Sequence, residues 1–216
     1  MSDTTTTSDL DSAAQSDRGW VELVAACLLG IAGILTAFTA YQSAIQGGDE
    51  LKGFTDSQQS TADANFFYSK GNQAQANDAS TFLQYQIKVQ EGADETASVI
   101  RENLFSEELL LATDAFDALP AGDGTASPID LEEYVVQDFA DAEELQTQAE
   151  GQFAGALTAG EKGDKFDLSS VFFAVSLFFA GIAALFRQHR VQVVMLFGSV
   201  ALIVPGVLAM TQGLSG

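Results

Sequence analysis

Two long apolar runs close the chain. LSSVFFAVSLFFAGIAALF (168–186) and VQVVMLFGSVALIVPGVLAM (191–210) are separated by RQHR (187–190), and neither run holds an acid or a base. At a helical rise of about 1.5 Å per residue, about 20 residues cross the hydrocarbon core of a bilayer. The pair predicts a membrane-spanning hairpin from Leu168 to Met210. A third run, Trp20–Ala40, lies near the start, with Trp20 and Tyr41 at its ends, where amphipathic rings favour the interface. It exceeds the about 7–15 apolar residues of a secretory signal, lacks a basic leader and is followed by no A-x-A site, so it predicts a retained span. The expected architecture is all-α: a disordered acidic tail (1–17), a first span (18–45), an acidic helical domain (46–167), a second span (168–186), a loop (187–190), a third span (191–211) and a tail (212–216).

Between the spans no two-residue alternation persists. From Asp49 to about Glu91 the chain is rich in Ala, Gln, Asn and Ser, with Phe54, Phe67, Tyr68, Phe82 and Tyr85 as large anchors. This predicts a long helix with a narrow stripe of small residues, kinked near Gly71-Asn72 and loosened at Gly47-Gly48. Gly92-Ala93-Asp94 predicts a break. Ile100, Leu104, Leu111 and Ala115 fit one face of a second helix, and Ser106 followed by Glu107 and Glu108 offers an alternative start. PAGDGTASP (120–128) reads as a loop. Asp130 is placed to cap a third helix from Leu131, with Leu131, Val135, Ala142, Leu145, Ala149 and Ala156 at three-to-four spacing, running through Gly160–Asp167 into the second span. Long helices with thin apolar stripes pair into antiparallel coiled coils, the form expected of this domain.

Charge follows the same division. Residues 46–167 carry 25 Asp/Glu against 6 Lys/Arg, whereas 168–216 carry only Arg187 and Arg190. The whole chain stands at −21. Such a surface repels itself at low ionic strength and suits molar salt, where the Debye length falls to about 3 Å. The composition points to a halophilic protein. It supplies no basic patch for nucleic acid. The lone cysteine, Cys27, lies in an apolar run and behaves as a small hydrophobe.

Basic residues near short loops set orientation. Arg18 precedes the first span, and Arg187 and Arg190 join the second to the third. With three spans these places share one side, and the positive-inside rule makes it cytoplasmic. The N-terminus is then expected inside and 46–167 outside, in the cell membrane. Glu22, two residues beyond Trp20, is placed near headgroup depth, where it snorkels or pairs with Arg187 or Arg190.

Four stretches resemble a family: RGWVELVAACLLGIAGILTAFTAYQSAIQGGDE (18–50), STFLQYQ (80–86), EEYVVQDFADAEEL (132–145) and SSVFFAVSLFFAGIAALF (169–186). Trp20 with Glu22, then Thr36, Ala37, Ala40, Tyr41 and Gln42, then Phe178–Gly181 resemble the motifs of prokaryotic three-span membrane proteins of unassigned activity, in a haloarchaeal-type version. The resemblance implies three spans and a helical extracytoplasmic domain, and no biochemical activity. The 120–128 loop departs from that pattern by being glycine-rich and acidic.

No catalytic constellation emerges, and no enzyme activity, cofactor or metal site is expected. The single histidine, His189, sits among Arg187 and Arg190, whose charge opposes a metal. Paired glutamates such as Glu132-Glu133 read as solvated helix faces, and GIAG and GDG lack the lysine and spacing of a phosphate loop. What remains is packing chemistry. Ser176, Ala180 and Ala184 on the second span, and Gly33 and Ala37 on the first, form small-residue faces that let helices approach closely. Two function classes stay open: a self-assembling structural or interaction protein with the lipid bilayer, copies of itself and other envelope proteins as partners, or an oligomeric channel or accessory subunit of a membrane transport complex.

Overall fold

The computed structural model describes the backbone of residues 5–120, 127–186 and 188–215, and within those ranges the side chains of Trp20 and of Glu22 onward. Among the described residues there is no strand. The elements are α1 (Thr5–Gln90), α2 (Asp94–Leu104), α3 (Glu107–Asp117), a 3-10 turn (Pro128–Asp130), α4 (Gln137–Leu185) and α5 (His189–Ser215). Three of these helices, α1, α4 and α5, are long and apolar enough to cross a membrane.

α1 runs 86 residues without a break. It contains no proline, and neither Gly47-Gly48 nor Gly71 interrupts it. Gly71 is a packing position. Gly71 is buried, and a Cβ there would stand 2.9 Å from Phe139 Cε1, so the glycine serves close approach. The expected unstructured tail is corrected, since helix reaches back to Thr5. Extending a nucleated helix avoids the cost of starting one. α1 ends where expected, at Gly92 with φ 71°. Gly92 N–H donates to Val89 O at 3.1 Å and Ala93 N–H to Lys88 O at 3.0 Å, the paired bonds of a glycine-terminated helix.

The chain divides into two compact units. The first comprises residues 1–54 and 153–216, and thus the three apolar stretches. In it α1 and α4 run antiparallel. Phe54 meets Phe153 at 5.4 Å between ring centroids, Gly160 faces Glu50, and Gly163 faces Gln46. α4 and α5 are also antiparallel, through Phe166 against Gly213 and Phe173 against Gly206. Only 17%, 28% and 22% of the three apolar windows is buried inside the molecule. The remainder, including Ile34, Phe178 and Phe197, faces outward, far more apolar surface than water tolerates in one patch.

The second unit is residues 55–152. Its core is Phe82, Ile100, Phe105 and Leu109, flanked by Tyr85, Leu110, Phe116, Ile129 and Tyr134. Here the alternative start at Ser106 is the one taken, giving two helices in place of one. Phe105 leaves helical geometry and Ser106 caps α3 by accepting from Leu109 N–H at 3.0 Å. The break shifts the phase of the apolar face. Leu104 and Leu111, expected inside, are exposed, while Leu109 and Ala112 are buried. The third helix begins at Gln137 and not Leu131. Asp130 ends a 3-10 turn that Ser127 caps, and the chain stays irregular to Val136. Once started, α4 continues through Gly160–Asp167 without interruption, as the absence of proline allows.

Candidate interaction surfaces

The small-residue faces read from the sequence fall in different surroundings. Ser176 and Ala180 are fully buried within the chain, whereas Ala184 is exposed. Ser176 Oγ donates to Ser199 O at 3.0 Å, so in its 2.8 Å contact with Ser199 Oγ the latter donates. Two phenylalanines pack along the seam to one side of this pair. A Cβ at Gly206 would come 2.7 Å from Phe173 Cε1, and one at Gly213 3.1 Å from Phe166 Cζ. Both rings are almost inaccessible. The α4–α5 seam is therefore built from rings seated on glycine backbone, with one hydroxyl pair satisfied inside it.

Gly33 and Ala37 are not packed in this way. A Cβ at Gly33 would meet nothing within 4 Å, and Ala37 is exposed. They belong to a longer stripe on α1: Ala26, Gly30, Gly33, Ala37, Ala40, Ala44 and Gly47 alternate at spacings of four and three. Gly30 and Gly47 also face open space. Five of these seven positions escaped the sequence reading, although the alternation that reveals them is visible there.

Glu22 and Arg190 are exposed and form no ion pair with one another among the described residues. The other expected partner, Arg187, lies outside the described residues, as does most of the 120–128 loop. Gln192 closes the α4–α5 turn by donating its Nε2 to Phe186 O at 2.6 Å. Three other hydroxyls in the apolar stretches bond within their own helices: Thr36 to Ala32 O, Thr39 to Leu35 O and Ser169 to Lys165 O.

The second unit holds a site that sequence reasoning missed. Asp78, on α1, is 7% exposed. Ser106 Oγ and Tyr134 OH both donate to its Oδ2, at 2.7 and 2.9 Å. Burial and the bond to Asp78 push the Tyr134 hydroxyl well above its ordinary range. Beside this cluster opens a cleft of about 660 Å³ between α1, the α2–α3 junction and the start of α4. On its rim Lys70 pairs with Asp138 at 2.7 Å. Elsewhere in the unit Arg101 bridges α2 to Asp114 and Asp117 on α3. Burial there lowers its proton affinity, but bonds to Asp117, Tyr85 and Asp114 outweigh it and raise the guanidinium above its usual range. The partners of Asp78 come from 28 and 56 residues away, so no local motif announces them. Among the described residues no group of three or more His, Cys, Asp or Glu is placed to hold a metal ion.

Compared with protein-family models, curated proteins and solved structures, the chain matches none.

Proposed function

We propose that this chain is a multi-pass protein of the cell membrane that acts by assembling with copies of itself, as a structural or interaction component carrying an acidic helical ectodomain. The observation that carries the reading is the α1 stripe from Ala26 to Gly47, small, outward and without a neighbour at Gly30, Gly33 and Gly47. In lipid, helices associate by close packing and not by hydrophobic force, and small-residue faces permit it. The channel reading is weaker, because Thr36, Thr39, Ser169 and Ser176 spend their hydroxyls on carbonyls and leave little polarity to line a pore. The ectodomain is read as an antiparallel coiled coil. In support, the buried positions Ser57, Ala64, Gly71 and Asp78 recur every seventh residue on α1, as do Ala142 and Ala149 on α4.

Native mass in high-salt detergent tests the assembly. More than one chain per particle is expected, and Gly33→Leu should lower that number while leaving α4–α5 intact. One chain per particle for the unaltered protein would sink the reading. Orientation rests on Arg18, Arg187 and Arg190, with 46–167 outside. With Cys27 replaced by alanine, a cysteine introduced at the exposed Glu95 should react with an impermeant maleimide in intact cells. Protection of that cysteine until the cells are lysed reverses the topology.

A further inference from the structure

Asp78 is a carboxylate withdrawn from water whose donors among the described residues are two neutral hydroxyls, both on Oδ2. Its Oδ1 receives no hydrogen bond among the described residues, and Asp78 forms part of the wall of the 660 Å³ cleft. Lys70, the cation in that wall, is engaged by Asp138 and lies 5.8 Å from the Phe67 ring centroid. Glu108 and Asp141 add negative charge to the same wall. Burying an anion beside other anions is costly unless a cation compensates it. Phe67 and Phe105 contribute apolar and aromatic surface, which favours cations over ring faces as well as hydrocarbon. The volume falls within the about 300–1,000 Å³ of small-molecule sites. A bare metal ion is a poor match, since the described residues offer no ligand set for one.

We propose that this cleft binds an organic cation, an ammonium or guanidinium head on an apolar body, with the head against Asp78 Oδ1 and the body between Phe67 and Phe105. The site lies wholly within the second unit and is independent of self-assembly.

Titration calorimetry of the full chain in detergent and molar sodium chloride tests this, with benzylammonium as the probe. Saturable binding is expected, and benzyl alcohol, the same body without the charge, should bind at least about tenfold more weakly. Asp78→Asn keeps an acceptor for Ser106 and Tyr134 and should weaken benzylammonium at least about tenfold. Ala74→Phe keeps Asp78 but fills the cleft and should abolish binding. The proposal is overturned if benzylammonium gives no saturable heat, if benzyl alcohol binds equally well, or if Ala74→Phe leaves the affinity unchanged. If Asp78→Asn loses its helical circular dichroism, Ala74→Phe and the alcohol decide; if it folds, undiminished affinity also overturns the proposal.

Discussion

Valine in place of Gly206 is expected to open the α4–α5 seam. Even a single added carbon would stand 2.7 Å from Phe173 Cε1 and 3.0 Å from its Cδ1. Phe173 is fully buried, so its ring has no free space to turn into. Overpacking of this kind costs about 1–3 kcal/mol, and valine's second branch places the variant at the upper end. Besides the Ser176–Ser199 hydroxyl pair, close packing is what holds this seam, so little compensates the overlap. Gly198→Ala is the internal control. Its added carbon would lie 3.7 Å from Phe179 Cδ1, an ordinary contact, and alanine gains about 1 kcal/mol of helix propensity over glycine. Thermal unfolding in detergent should show a large loss for the first variant and none for the second. Shortening Phe173 to leucine in the Gly206→Val background should recover part of the loss, the mark of coupled neighbours. Equal stability of Gly206→Val and the unaltered protein would contradict the seam as described.

Phe82→Ala should be the most damaging single change in the second unit. The ring is 8% exposed and meets Tyr85, Phe105 and Phe116 with centroids 6.1, 6.4 and 6.0 Å away. It is also where α1 touches both short helices through the cluster with Ile100 and Leu109. Truncating a buried phenylalanine costs about 3–5 kcal/mol, a large share of the stability of a domain this small. Limited proteolysis should then cut within residues 94–117 while the apolar helices stay protected. Leu104→Ala, at a side chain 59% exposed, should change stability by less than about 0.5 kcal/mol. If the two variants resist protease equally, the cluster is not the core of this unit.

The pattern of apolar runs was enough to place three membrane-length helices, the break at Gly92 and the passage of α4 through Gly160–Asp167. These are local properties of composition and of where proline is absent. The helix starts at Glu107 and Gln137 were harder to read. Ser106 does cap α3, but its hydroxyl also donates to Asp78, a role that only the folded chain discloses. Asp130 carries the right side chain for a cap, yet Ser127 caps the 3-10 turn that Asp130 ends. Gly71 illustrates the same limit. Its lack of a side chain suggests a bend, and only the folded chain sets it against Phe139, 68 positions away along the sequence. The cleft around Asp78 was illegible for that reason: its walls come from three separated segments, none of which alone signals a site.

The seams also differ in how far apart along the chain their partners lie. Ser176 and Ser199 are 23 residues apart, whereas Ser57 and Ala149, joined by a 2.9 Å bond from Ser57 Oγ to Ala149 O, are 92 apart. A fourfold longer loop adds about 1.2 kcal/mol to the entropy of closure, and distant pairings of this kind slow folding more than local ones. During synthesis the last two helices can therefore zip together almost as soon as both exist. The first apolar stretch, which ends at Ala40, must wait longer still, until the second, which begins at Leu168, has been made. It is equipped for the delay, because Thr36 and Thr39 satisfy their hydroxyls on Ala32 O and Leu35 O without help from any other helix.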